Sequence, residues 1–198
     1  MHLYGASGHG KVAAEIAIDN QIDIQAFIDD DPAIKECLGY PVLKSVPSDI
    51  EKIFISIGNN KIRKKVSGLF SQDQFLTLLH PKSIISGSSE LGSGTVVMGG
   101  ATINASCKIG MHCIINTNAS VDHDCTLEDF VHISPNAALA GNVSVGEGTH
   151  IGIGVSVIPG IKIGKWCIIG AGSVIINDIP DGCTVIGNPG KISKQENL

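Results

Sequence analysis

The chain has 198 residues, a formal net charge of −5 and 4% aromatic residues, against 24 glycines and 55 positions of Ile, Val or Leu. So much aliphatic bulk excludes a disordered chain, and the acidic balance argues against a partner bound through a nucleic-acid backbone. No run of about 18 apolar residues is present, and residues 1–5 lack a charged leader segment, so neither a membrane span nor a signal peptide is expected and the cytoplasm is the default compartment.

Residues 1–80 alternate between strand and helix signals. Leu3-Tyr4 reads as a strand entering Gly5-Ala6-Ser7-Gly8-His9-Gly10, and a helical pattern follows from Lys11 to Ala17. A second strand, Ile24 to Ile28, ends at Asp29-Asp30-Asp31-Pro32. A third, Lys52 to Ile57, runs into Gly58-Asn59-Asn60 and a helix bearing Lys61, Arg63, Lys64 and Lys65. Such alternation predicts a small Rossmann-like βαβ domain whose ligand sits beyond the carboxyl ends of the strands. The glycine loop offers backbone N–H groups and a helix N-terminus to an anion such as a diphosphate. Its spacing, G-x-x-G-x-G, departs from the dinucleotide fingerprint. Asp29 and Asp30 can accept from a base or ribose, or simply make a turn. Asn59 and Asn60 can bind ligand or cap the next helix, and the basic residues read most simply as its solvated face.

From Ile85 onward, stepping by six meets sixteen aliphatic residues in succession, ending at Ile175. At the chain's own aliphatic frequency such a run has a chance probability on the order of 10⁻⁹. Three flat sides per coil of eighteen residues satisfy this period, which predicts a left-handed parallel β-helix over 81–198, closed by a C-terminal cap. The stacked coils should lie about 4.8 Å apart. Aromatic side chains hardly fit so narrow a prism. With the aliphatic as position one, Cys107, Cys113, Cys125 and Cys167 all fall at position five, where small inward residues are needed. Their spacing is neither that of a metal site nor that of a disulfide framework.

His123 falls at position three, and Gly141 one coil later, so the two should be neighbours. A histidine beside an accessible backbone N–H suits a general base next to an oxyanion donor, and Asp124 is placed to fix the imidazole tautomer. The plain alternative is a solvated surface histidine. His132 and His150 are also eighteen apart and should stack. They either line a ligand groove or, with a third histidine such as His112, hold a metal.

Taken together, Tyr4-Gly5-Ala6-Ser7-Gly8-His9-Gly10, Asp29-Asp30, Ile57-Gly58-Asn59-Asn60 with Ile62-Arg63-Lys64-Lys65, His80-Pro81, Asn116-Thr117, His123, His132, Ala140-Gly141-Asn142-Val143 and Gly187-Asn188-Pro189 carry a resemblance over nearly the whole length. The chain resembles the sugar acyltransferases of the bacterial hexapeptide-repeat superfamily that carry an N-terminal nucleotide-sugar domain. Within them it is most similar to the group that acetylates the 4-amino group of a UDP-4-amino-4,6-dideoxy sugar, as in bacillosamine biosynthesis.

The resemblance implies a homotrimer with sites at subunit boundaries, acetyl-CoA as cosubstrate, no metal, and direct attack in a ternary complex without an acyl-enzyme. It implies His123 as base, Asp124 in place of the usual Glu, and the Gly141 N–H as donor to the thioester oxygen. Asn116 would lie near the reacting sugar, and His132 would contact acetyl-CoA. Ser7, Gly8 and His9 would approach the diphosphate or sugar, and Asp29, Asp30 and Asn59 would hold the uridine. Ile153, Gly170 and Gly172 would line the pantetheine groove. Three other readings compete: a sugar O-acetyltransferase of the sialic acid type, a zinc-dependent hydratase of the carbonic anhydrase type, and a non-catalytic nucleotide-sugar-binding module.

Overall fold

The computed structural model describes residues 1–196; the last two positions of the 81–198 unit, Asn197 and Leu198, lie outside the described residues. The N-terminal α/β unit orders its strands β3-β4-β2-β1-β5: β1 (His2–Tyr4), β2 (Ala26–Ile28), β3 (Glu36–Cys37), β4 (Tyr40–Leu43) and β5 (Ile53–Ile55). β1 is flanked in parallel by β2 and β5, as the alternation predicts. Helix α1 (Gly8–Asp19) crosses between β1 and β2, and α2 (Asn60–Ser67) follows β5. The β3–β4 hairpin was not expected. Its turn residues, Leu38 (φ 51°) and Gly39 (φ 81°), both take positive φ, as a two-residue hairpin turn requires.

The remainder is a left-handed parallel β-helix. Its first face stacks six strands, from Ile84–Ile85 to Val174–Ile175, and its second stacks five, from Glu90–Leu91 to Lys162–Ile163. The third begins with Leu78–Leu79, just ahead of the expected boundary. It continues through Val96–Val97, Ile114–Ile115, His132–Ile133, His150–Ile151 and Ile168–Ile169 to Cys183–Ile186. There Lys191–Gln195 pairs antiparallel and closes the end. Each parallel strand of the repeat from Ile84 to Ile175 pairs with the one eighteen positions on, as in Ser120↔Ala138.

The aliphatics of the six-residue frame fill the prism, and the position-five cysteines lie inside with them, each 0–1% exposed. Their thiols donate to corner carbonyls, for example Cys107 Sγ to Asp122 O at 3.0 Å and Cys167 Sγ to Pro180 O at 3.1 Å. Burial pushes the Cys113 thiol up to about 12 and the Cys125 thiol up to about 11, which keeps both protonated. At the corners, position four takes a left-handed conformation in coil after coil: Ser106, His112, Asn118, Asp124, Phe130, Asn136, Asn142 and Trp166, with glycine at most of the others. Each such N–H reaches back to the preceding coil, as Asp124 N does to Ala105 O at 2.9 Å.

The α/β unit docks on the third face. Leu78, Val96, Met98 and Ile114 share one core with Leu3, Ala13, Ala14, Ile16 and Ala17. Each large apolar side chain so buried stabilises the docking by about 1.5–3 kcal/mol. Arg63, read from sequence as part of a solvated helix face, is instead 1% exposed. Helix α2 turns that residue onto the β-helix and leaves Lys61, Lys64 and Lys65 outside. Among the described residues no helix is long and apolar enough to cross a membrane.

Candidate active site

His123 sits in the turn between the first and second faces. Its exposed imidazole is held at Nδ1 by Asp124 Oδ2 at 2.7 Å. The left-handed corner at Asp124 (φ 59°) allows a residue directly after the histidine to turn back on it. Asp122 supports the same turn: its Oδ1 accepts from Asn104 Nδ2 and from His123 N, both at 2.8 Å. The hydrogen bond to Asp124 and then the charge of Asp122 raise the His123 pKa above the ordinary imidazole value. The coil arithmetic holds at Gly141. A methyl group there would lie 2.5 Å from His123 Cε1 and 2.6 Å from Nε2, so the ring packs over the glycine Cα and any side chain would displace it. The Gly141 N–H meets no acceptor among the described residues.

In the α/β unit, Gly5 adopts φ 112°, and a side chain on Gly10 would collide with Gly5 O, so the loop requires glycine at both places. Ser7 caps α1 without spending its hydroxyl on the helix, and Ser7 and Gly8 are exposed. The helix N-terminus is thus free for an anion. Asp29 works inside the loop: its Oδ2 accepts from Ala6 N at 2.8 Å and its Oδ1 from Asp31 N at 3.0 Å. Asp30 is exposed. Asn59 caps α2, accepting from Ile62 N at 3.0 Å, and Asn60 is buried.

His132 and His150 stack on the third face, with ring centroids 4.6 Å apart and planes 6° from parallel. Asn116 Nδ2 donates to His132 Nε2 at 3.1 Å, and Ser134 Oγ lies 2.8 Å from His150 Nε2. With each Nε2 already partnered, neither ring offers that nitrogen to a metal ion. Among the described residues no group of three or more His, Cys, Asp or Glu is arranged to hold a metal ion. Burial drives both pKa values down, and Arg63 acts in the same direction; His9, half-buried nearby, is lowered to about 4.

Two adjoining clefts share this histidine pair. One, of about 540 Å³, lies against α2 and includes Gly58, Asn59, Trp166 and Thr184 in its lining. The other, of about 440 Å³, opens toward the first face and includes Asn116, Ile153 and Gly170. Gly172 lies two residues beyond Gly170, outside that lining.

Within the chain, then, Asn59, Asn116, His132, Ile153 and Gly170 gather along the third face, with His9 nearby. His123, Asp124 and Gly141 stand at the far edge of the first face, one side of the prism away. Trp166 and Thr184 had no signal in the sequence; with Asn60 and Arg63, whose burial had none, they join the cleft or its frame only because two units dock.

Comparison with known proteins agrees with this architecture. Residues 1–68 match the PglD N-terminal domain, and residues 142–177 match the bacterial transferase hexapeptide (six repeats). The UDP-N-acetylbacillosamine N-acetyltransferase of Bacillus subtilis is 43% identical over 109 residues, which span 48% of this chain and only 50% of that relative's length. A histidine-to-asparagine mutant of perosamine N-acetyltransferase from Caulobacter crescentus, in complex with CoA and GDP-perosamine, superposes with a TM-score of 0.94 and 38% identity, covering 98% of this chain and 96% of that one. The acetyltransferase domain of PglB from Neisseria gonorrhoeae, in complex with acetyl coenzyme A, gives 0.89 and 39%, covering 96% and 97%. The chain belongs to the sugar acyltransferases of the hexapeptide-repeat superfamily that carry an N-terminal nucleotide-sugar domain.

Proposed function

We propose that the protein transfers the acetyl group of acetyl-CoA to the 4-amino group of a nucleotide-linked 4-amino-4,6-dideoxy sugar, UDP being the favoured nucleotide. The observation that carries this reading is the His123 imidazole held by Asp124 at Nδ1 and packed over the backbone of Gly141. In the proposed step the neutral amine attacks the thioester carbonyl, and His123 Nε2 takes the proton released from nitrogen. The Gly141 N–H donates to the oxyanion, and collapse expels CoA as its thiolate, which regains a proton. CoA carries the activated acyl group, so no enzyme nucleophile is required. Solved relatives whose complexes contain CoA, acetyl coenzyme A and GDP-perosamine support both ligand classes.

The diphosphate is assigned to the α1 N-terminus at Ser7, Gly8 and His9, and the base to Asp29, Asp30 and Asn59. The reacting sugar is assigned to Asn116, and the acetyl-pantetheine arm to His132, Ile153, Gly170 and Gly172. A homotrimer completes the site. The first face presents Thr102, Ser120, Ala138 and Ser156, flanked by exposed Ile84, Ile158 and Ile176, whereas the second carries Glu90, Lys108 and Lys162. A small, nearly uncharged face suits contact between copies, and such contact would bring one protomer's His123 to its neighbour's Asn116 and His132. Sedimentation equilibrium should give three times 20.6 kDa; a monomer would sink this part.

The deciding assay measures thiol release from acetyl-CoA with UDP-, GDP- and dTDP-linked 4-amino sugars and with hydroxyl analogues. His123→Ala should lower kcat by about 10²- to 10⁴-fold while acetyl-CoA still binds. Near-normal turnover in that variant rules out the assigned base. Turnover with hydroxyl acceptors alone would move the reading to O-acetylation.

A further inference from the structure

A buried charge is tolerated when it is paired or when every donor is satisfied. Arg63 has all five N–H donors placed on five oxygens, none of them a carboxylate. Nε donates to His112 O at 2.8 Å; Nη1 to Ile57 O at 2.9 Å and Gly58 O at 3.2 Å; Nη2 to Asn60 Oδ1 at 2.8 Å and Phe130 O at 2.9 Å. Asn60 extends the bridge, since its Nδ2 donates to Gly148 O at 2.9 Å. His112, Phe130 and Gly148 are the same corner position on three successive coils. Ile57 and Gly58 belong to the segment that joins β5 to α2, and Asn60 is the first residue of α2.

This clamp has a geometrical consequence for the larger cleft. Gly58 and Asn59 line one side of it, and His132 and His150 line the other. His132 follows Phe130 by two residues, and His150 follows Gly148 by two. The bonds to Phe130 and Gly148 therefore set the distance between the two walls.

We propose that Arg63, together with Asn60, is a positioning residue: it fixes the Gly58–Asn59 wall against the His132–His150 wall and so aligns the nucleotide-linked sugar with the acetyl group, without touching either ligand. The inference rests on the proposed function, in which those walls belong to the sugar and CoA sites. A lysine keeps the charge, but its single ammonium cannot reproduce the planar fork that spans both sides.

The test compares the full-length wild type with Arg63→Lys and Asn60→Ala, by steady-state kinetics with both substrates and by amide hydrogen exchange. In Arg63→Lys, kcat/KM for the nucleotide sugar should fall by about 30- to 100-fold, as expected for reactants misplaced by about an ångström, while KM for acetyl-CoA stays within about threefold. Exchange should accelerate across residues 57–60 and stay unchanged in the coils beyond 150. Wild-type exchange at 57–60 with wild-type sugar kinetics overturns the proposal. So does an equal loss on both substrates with faster exchange throughout, the mark of a purely structural residue. If Arg63→Lys does not fold, Asn60→Ala, which removes the bridge to the third coil and leaves Arg63 in place, decides by the same criteria. A wild type inactive on every sugar nucleotide ends the functional reading instead, and local exchange alone then judges the clamp.

Discussion

A carboxylate 2.7 Å from Nδ1 does two things for His123: it fixes which nitrogen carries the proton and makes the ring a stronger base. As the proposed base the imidazole must be neutral to accept a proton, so the acidic limb of the rate profile should lie above the ordinary imidazole pKa. Asp124→Asn keeps a hydrogen-bonding group but removes the charge. The limb should then move to lower pH, with a kcat loss smaller than the ~10²- to 10⁴-fold expected for removing the base itself. A profile of kcat/KM against pH checks this, and an unmoved limb would show that Asp124 plays no part. At this scale the sequence was readable where spacing equals one coil, as for His123 and Gly141. Asp124 could be named but not measured, because its reach depends on a left-handed backbone at its own position. Arg63 could be quoted within the resemblance, but its burial was not readable: Lys-Ile-Arg-Lys-Lys looks the same whether the helix faces water or another unit.

Position five, inside each coil, is where the prism meets its own polar backbone. Thr149 is 0% exposed; its Oγ1 donates to Gly164 O at 2.7 Å and accepts from Cys167 N at 2.9 Å. Thr149→Val keeps the shape and leaves the buried Cys167 N–H and the half-buried Gly164 carbonyl without this partner. The expected loss is about 1–3 kcal/mol, measured by denaturant unfolding. A loss below about 0.5 kcal/mol would mean that the corner relaxes to re-pair those groups. The six-residue frame was legible because each coil buries its aliphatic in the same way, so one local rule repeats. The β3–β4 hairpin was not legible, since Leu38 occupies a left-handed turn position that favours Gly or Asn and so gives no turn signal.

The docked assembly carries four of its seven histidines as neutral rings. Burial, with the charge of Arg63, lowers His9 and His112 to about 4 and moves His132 and His150 down as well. Unfolded, these groups take up protons near pH 6.5; folded, each takes up its proton only at lower pH, His9 and His112 at about 4. Between those limits the unfolded state binds more protons, so stability is full above about 6.5 and falls as the pH drops, by up to about 1.4 kcal/mol per pH unit for each group. Thermal melts from about pH 7 to about pH 4.5 should show Tm falling, with exchange rising first at the α/β unit and the third face. A flat Tm across that range would contradict the burial of these rings. The two-unit architecture was legible from the change of rhythm near residue 80, while its interface was not, because no local pattern says which helix face meets which prism face.

The eighteen-residue ladder also constrains how this chain can change length. Deleting one residue between 85 and 175 would rotate every later aliphatic off the interior, a frameshift in three dimensions that no nearby loop absorbs. Deleting eighteen restores every frame and shortens the prism by about 4.8 Å. Growth and loss are therefore quantised in whole coils. The closing hairpin at Lys191–Gln195 steps toward or away from the His132–His150 pair by the same quantum, so the depth of groove open to an acyl carrier comes in discrete sizes.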